Sequence, residues 1–111
     1  MNWKILNNIS QLQEIVEESN KKPVLIFKHS TRCSVSMMAK RSFQSDYTES
    51  LNFTPYYLDL ISFRDISNKI ADDFGVFHQS PQVLLIENGK CIYNASHGEI
   101  SIDSIPTSVN S

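Results

Sequence analysis

Apolar positions along the chain switch between helical and extended spacing, and the switches mark out alternating helices and strands. Over residues 11–20, Leu12, Ile15 and Val16 share one face, Ser10 and Gln13 form an S-x-x-Q capping-box pattern, and Lys21-Lys22-Pro23 suit the far end, which predicts a helix. Val24-Leu25-Ile26-Phe27 follows without alternation, predicting over 23–29 a strand buried on both faces. A short Ser30-Thr31-Arg32 connection leads to a second helix over roughly 33–48, where Val35, Met38, Ala39, Ser42 and Phe43 trace helical periodicity. Residues 56–60 read as another core strand. Ser62 is placed to cap a third helix, in which Phe63, Ile66, Ile70, Ala71 and Phe74 repeat at three and four and Gly75 is the terminator.

Two further strands, 82–86 and 91–95, are joined across Asn88-Gly89, a strong hairpin signal, and a small strand is expected at 3–6. The order α-β-α-β-α-β-β predicts an α/β fold with a mixed sheet and helices on both sides.

A length of 111 residues with 41% hydrophobic and 20% charged side chains fits one globular domain over 1–111, with 104–111 reading as a loose tail. The formal charge of −2, with signs mixed, provides no basic stripe for a phosphate backbone, so nucleic acid is not an expected partner. The longest apolar runs, 24–27 and 83–86, fall far short of the roughly 20 residues a membrane helix needs, and MNWKILNNIS carries no apolar signal core. The expectation is a cytoplasmic protein with no membrane span.

Cys33 and Cys91 are too few for a disulfide scaffold and too far apart for a CxxC or zinc spacing, and His29, His78 and His97 are scattered, so no metal site is expected. Cys33 stands between a buried strand and the first turn of a helix, where unpaired N–H groups and the positive dipole end favour thiolate, with Arg32 and His29 as added positive charge. It is the candidate nucleophile; the alternative is a cysteine that merely packs at a helix start. Ser36 occupies the place of the second thiol in a CxxC, so release of a mixed disulfide would require a thiol from outside. Cys91, on a hairpin strand, reads as a small buried hydrophobe.

Ser80-Pro81 opens a strand; with a cis bond, the Ser80 backbone would be available to an extended chain beside Cys33. Lys28 and His29 should point to opposite faces of their strand, without the sequence fixing which is which. His78 and His97 read as solvated loop residues, Asp59 as a turn or cap group, and Trp3, Met37 and Met38 as packing residues.

The strand at 24–29, Cys33 before a long helix, Ser80-Pro81, the Asn88-Gly89 hairpin and Gly98 together resemble the thioredoxin-like fold, a three-layer α/β/α arrangement. More narrowly, K-H-S-T-x-C-x-x-S at 28–36, H-x-S-P-Q at 78–82 and A-S-H at 95–97 are similar to the YtxJ-type family of monothiol thioredoxin-like proteins. The resemblance implies a place in bacillithiol redox chemistry: Cys33 as catalytic nucleophile, with His29, Thr31, Arg32, Ser36, Ser80 and Pro81 supporting it or meeting substrate. It implies no bound cofactor, bacillithiol as co-substrate and oxidised protein thiols as partners. Two departures stand out: Ser34 replaces the proline usual after the cysteine, and Phe27 stands where thioredoxins place a buried acid, which disfavours a dithiol mechanism. Pro106 soon after a possible Ser101 cap makes the usual terminal helix look short or irregular. The competing readings are a non-catalytic binding module on the same fold and use of glutathione in place of bacillithiol.

Overall fold

The unalternating run at 24–27 forms the middle of the sheet, because side chains on both of its faces have a core to enter. A computed structural model describes residues 3–30, 34–46, 53–101 and 105; at 34–36 and 46 it describes the backbone alone. The elements are β1 (Lys4–Ile5), α1 (Gln11–Glu18), β2 (Val24–His29), α2 (Ser34–Asp46), β3 (Thr54–Asp59), α3 (Arg64–Phe74), β4 (Gln82–Glu87) and β5 (Lys90–Ser96), followed by a 3-10 turn at His97–Glu99. The sheet order is β1-β3-β2-β4-β5, with β1, β3 and β2 parallel and β4 and β5 antiparallel to their neighbours.

Strand alternation divides the core between two layers of helix. Val24 and Ile26 face Leu12 and Ile15 of α1 and Ile66 and Ile70 of α3. Leu25 and Phe27 face Phe43 of α2, together with Phe53, Val83 and Ala95. Ile105, the one described residue of the segment expected to be loose, is 5% exposed and belongs to this second layer.

Two expected caps do not form. Ser10 has helical backbone angles and no capping bond; its N–H and hydroxyl go to Asn8 Oδ1, both within 2.9 Å, while Gln11 Oε1 takes the N–H groups of Asn7 and Asn8. Ser62 is likewise diverted, its hydroxyl donating to Asp59 Oδ2 at 3.0 Å, and Phe63 occupies the cap position of α3. In both places the hydroxyl is turned as a donor to a side-chain oxygen two or three residues earlier, and the backbone does not present it as an acceptor to the helix N–H groups. The α3 terminator is as expected, Gly75 lying at φ +64°.

The hairpin turn carries Asn88 at φ +52° and Gly89 at φ +74°. Gly89 is needed twice, since a Cβ there would also stand 3.3 Å from Val16 Cγ1. Buried Ser19, just past α1, accepts the Gly89 N–H on its hydroxyl and the Asn88 N–H on its carbonyl, both at 2.9 Å, which locks the turn to the helix end. No helix among the described residues is long and apolar enough to cross a membrane.

Candidate functional site

The last two residues of β2 diverge. His29, 1% exposed, turns to the α2 layer, its ring 5.4 Å from Tyr57 and 6.3 Å from Phe27 between centroids. Lys28, fully buried, turns to the α3 layer, where Nζ donates to the Ser67 carbonyl at 3.1 Å and lies 3.4 Å from His78 Nδ1. An ammonium can only donate, so Nδ1 accepts and the imidazole carries its proton on Nε2. Ser67 Oγ stands 3.2 Å from the same nitrogen. Burial pulls the Lys28 amine down to about 8, and burial, then the charges of Lys28 and Arg64, lower the His78 imidazole.

This cluster braces the chain just ahead of Pro81. Buried Gln82, the ladder partner of Lys28, donates through Nε2 to the Phe77 carbonyl at 2.9 Å. His78 is the exposed loop residue its sequence context suggests, but its Nδ1 also faces a buried lysine, which the sequence does not announce. The available signal was a lysine inside a run with no solvent-facing positions.

The Ser80–Pro81 peptide bond is cis, and Pro81 is buried. The Pro81 carbonyl accepts the His97 N–H at 3.1 Å, and His97 Nε2 lies 3.0 Å from Gln79 Oε1, so the motifs at 78–82 and 95–97 touch directly. His97 sits at φ +55°, a left-handed conformation that few non-glycine residues adopt. Gln82 pairs with Lys28 on one side and Ser96 on the other, which brings all three motif-bearing segments to one end of the sheet.

Cys33, Thr31 and Arg32 lie outside the described residues. Ser36 falls on the α2 backbone, in the first turn. Phe27, at the position where an acid was looked for, is enclosed by aromatic rings, with centroids at 5.7 Å to Trp3 and 5.6 Å to Phe43. An ionised carboxylate there would have no described polar partner among those rings. A feature the motifs do not announce lies on the same layer: His29, Tyr57 and the α2 residues Met37, Lys40, Arg41 and Gln44 line a pocket of about 300 Å3.

Cys91 is far from this end in two senses. Its ladder partner Ile86 pairs with Val24, at the opposite end of β2 from His29, five residues or roughly 17 Å along the strand. Its side chain also packs with the α1 and α3 layer, on the other face of the sheet from α2. Burial pushes its thiol up, and Sγ donates to the Tyr93 carbonyl at 3.3 Å. In the native protein at pH 7, iodoacetamide should therefore alkylate Cys91 more slowly than Cys33; faster reaction at Cys91 would reverse the assignment of nucleophile.

The family model of the monothiol bacilliredoxin BrxC matches residues 4–105. The chain belongs to that family. Among solved structures, it is 35% identical to a protein assigned as an oxidoreductase with a thioredoxin fold, with a TM-score of 0.79 over 90% of this chain and 87% of that one. The thioredoxin of Malassezia sympodialis (16% identity, TM-score 0.69, 98% of this chain and 85% of that one) shares the fold. So does that of Trypanosoma brucei brucei (14%, 0.71, 86% and 79%). The bacilliredoxin family and the thioredoxin fold support a thiol redox role with thiol-bearing partners.

Proposed function

We propose that this bacilliredoxin removes a low-molecular-weight thiol, bacillithiol, from oxidised protein cysteines by monothiol exchange at Cys33. The observation that carries this reading is the C-x-x-S sequence of a monothiol family member whose other cysteine is half-buried on the face of the sheet opposite α2. The Cys33 thiolate attacks the bacillithiol sulfur of a protein mixed disulfide. A Cys33–bacillithiol disulfide forms, the protein–bacillithiol bond breaks, and the protein leaves as thiolate and takes up a proton. A second bacillithiol, as thiolate, then attacks the bacillithiol sulfur of that adduct, releasing the bacillithiol disulfide and the Cys33 thiolate. The protein substrate is reduced by two electrons, and two bacillithiol units end as their disulfide.

His29, Thr31, Arg32 and Ser36 are assigned to supporting the nucleophile, and Ser80 and Pro81 to meeting the substrate chain. No resident cofactor takes part, and the cytoplasm, where small thiols are kept reduced, is the setting this chemistry suits. Incubating the reduced protein with a bacillithiolated model protein should accumulate the bacillithiol mass on Cys33 until a small thiol is added. A Cys33 that never takes up the adduct would favour a non-catalytic binding module.

A further inference from the structure

The pocket beside His29 is built from a stripe of α2, in which Met37, Lys40, Arg41 and Gln44 recur at three and four, closed by Tyr57 of β3. Its volume of about 300 Å3 lies in the range of small-ligand sites. Two cations, Lys40 and Arg41, line it with no anion among the described residues. Lys40 Nζ lies 5.1 Å from the ring centre of Tyr57 and 5.7 Å from that of Trp3, and donates to Gln44 Oε1 at 3.0 Å. The same oxygen accepts Trp3 Nε1 at 2.6 Å, so among the described residues the ammonium's partners are neutral.

Among the described residues, the ion pairs are Lys4 with Glu18 and Lys69 with Asp73, both elsewhere, and no carboxylate lines the pocket. Asp59, across the ladder from His29, spends its carboxylate on the Ile61 N–H at 3.2 Å and the Ser62 hydroxyl at 3.0 Å. Burial, then Asp59, raise the Tyr57 phenol, which therefore keeps its proton as a donor. A concave site with two cations that no described carboxylate pairs favours an anion of small size, and carboxylate suits both a lysine and an arginine. The walls also come from both sides of the nucleophile in sequence: His29 four residues before Cys33, and Met37 four residues after it.

We propose that this pocket receives the carboxylate-bearing part of the small thiol exchanged at Cys33. The inference rests on the exchange reading above and narrows the class of thiol to an anionic one. Two measurements on the full chain test it.

In an NMR titration with succinate, the amides of Met37, Lys40, Arg41, Gln44 and Tyr57 should shift, and with succinamide they should not; shifts confined to other residues, or equal for both probes, would overturn the proposal. In the second, rates are compared for two small disulfides of one skeleton, one bearing carboxylates and the other the corresponding amides. Wild type should favour the anionic one, and Lys40→Gln/Arg41→Gln should lower the ratio of the rates by about 3- to 10-fold, the range of one or two partly exposed charge contacts. Lys21→Gln/Lys22→Gln makes the same charge change beyond the end of α1 and should leave the ratio where it was. An unchanged ratio in the pocket variant, or an equal fall in the control, would overturn the inference. Wild type inert towards both disulfides would instead overturn the exchange reading, and the succinate titration alone would then decide whether the pocket binds carboxylates.

Discussion

Cys33→Ala should reduce exchange to the uncatalysed rate, whereas Cys91→Ala should keep most of it. The asymmetry follows from chemistry and position. Exchange needs a thiolate, and alanine supplies no nucleophile. Cys91 is pushed towards the thiol form by burial, packs on the α1 and α3 side of the sheet, and lies level with the start of β2, so its loss costs packing of about 1 kcal/mol and no step of the reaction. Ser36→Cys should have the opposite character and add a step. With C-x-x-C spacing, the new thiol is placed to attack the Cys33 adduct internally, expelling the small thiol and leaving an intramolecular disulfide. Intact-mass analysis separates the cases: wild type holds the adduct until a small thiol arrives, Cys33→Ala never forms it, and Ser36→Cys loses it unaided while becoming two hydrogens lighter. An adduct trapped by Cys91→Ala, or an internal Cys33–Cys91 disulfide formed during turnover, would make Cys91 the resolving thiol and sink the monothiol mechanism.

How much of this was legible beforehand depends on the range of the interaction that decides each feature. The run 24–27, the Asn88-Gly89 turn and Gly75 are set by local sequence, and each is found where its pattern puts it. The Ser10 and Ser62 caps misled because a serine hydroxyl can donate to a nearby side-chain oxygen, as to Asn8 and Asp59, as well as accept a helix N–H, and only the settled backbone decides whether it caps. The facing of Lys28 and His29 was open because alternation fixes that neighbours oppose one another, not which helix layer each meets. Lys28 with His78, and His29 with Lys40 and Tyr57, depend on partners on other elements, beyond the reach of any one element's periodicity.

Lys28→Met should stabilise the protein at pH 7 and remove a distinctive pH dependence. The amine is pulled from 10.5 in the unfolded chain to about 8 in the fold, because burial penalises the ammonium. A folded pKa below the unfolded one means that the penalty is fully present below pH 8, shrinks as pH rises from 8 to 10.5, and is gone above that. A shift of this size corresponds to about 3 kcal/mol. Methionine keeps the apolar stem and drops the charge, but also forfeits the bonds to the Ser67 carbonyl and His78 Nδ1, so the net gain at pH 7 should be about 1–2 kcal/mol. The difference between variant and wild type is the quantity to follow. Tyr56, Tyr57 and Cys91, all raised in the fold, lower stability in both proteins at alkaline pH and cancel from it. Urea titrations at intervals from pH 6 to 10.5 should show that difference falling steadily above pH 8. His78, relieved of its cationic neighbour but still facing Arg64, should titrate higher in the variant than in wild type by NMR. A variant less stable than wild type at pH 7, with a difference that does not change with pH, would mean that the ammonium's bonds to Ser67 and His78 outweigh its desolvation. Lys28 would then be a strut of the loop ahead of Pro81, not a buried charge held at a cost.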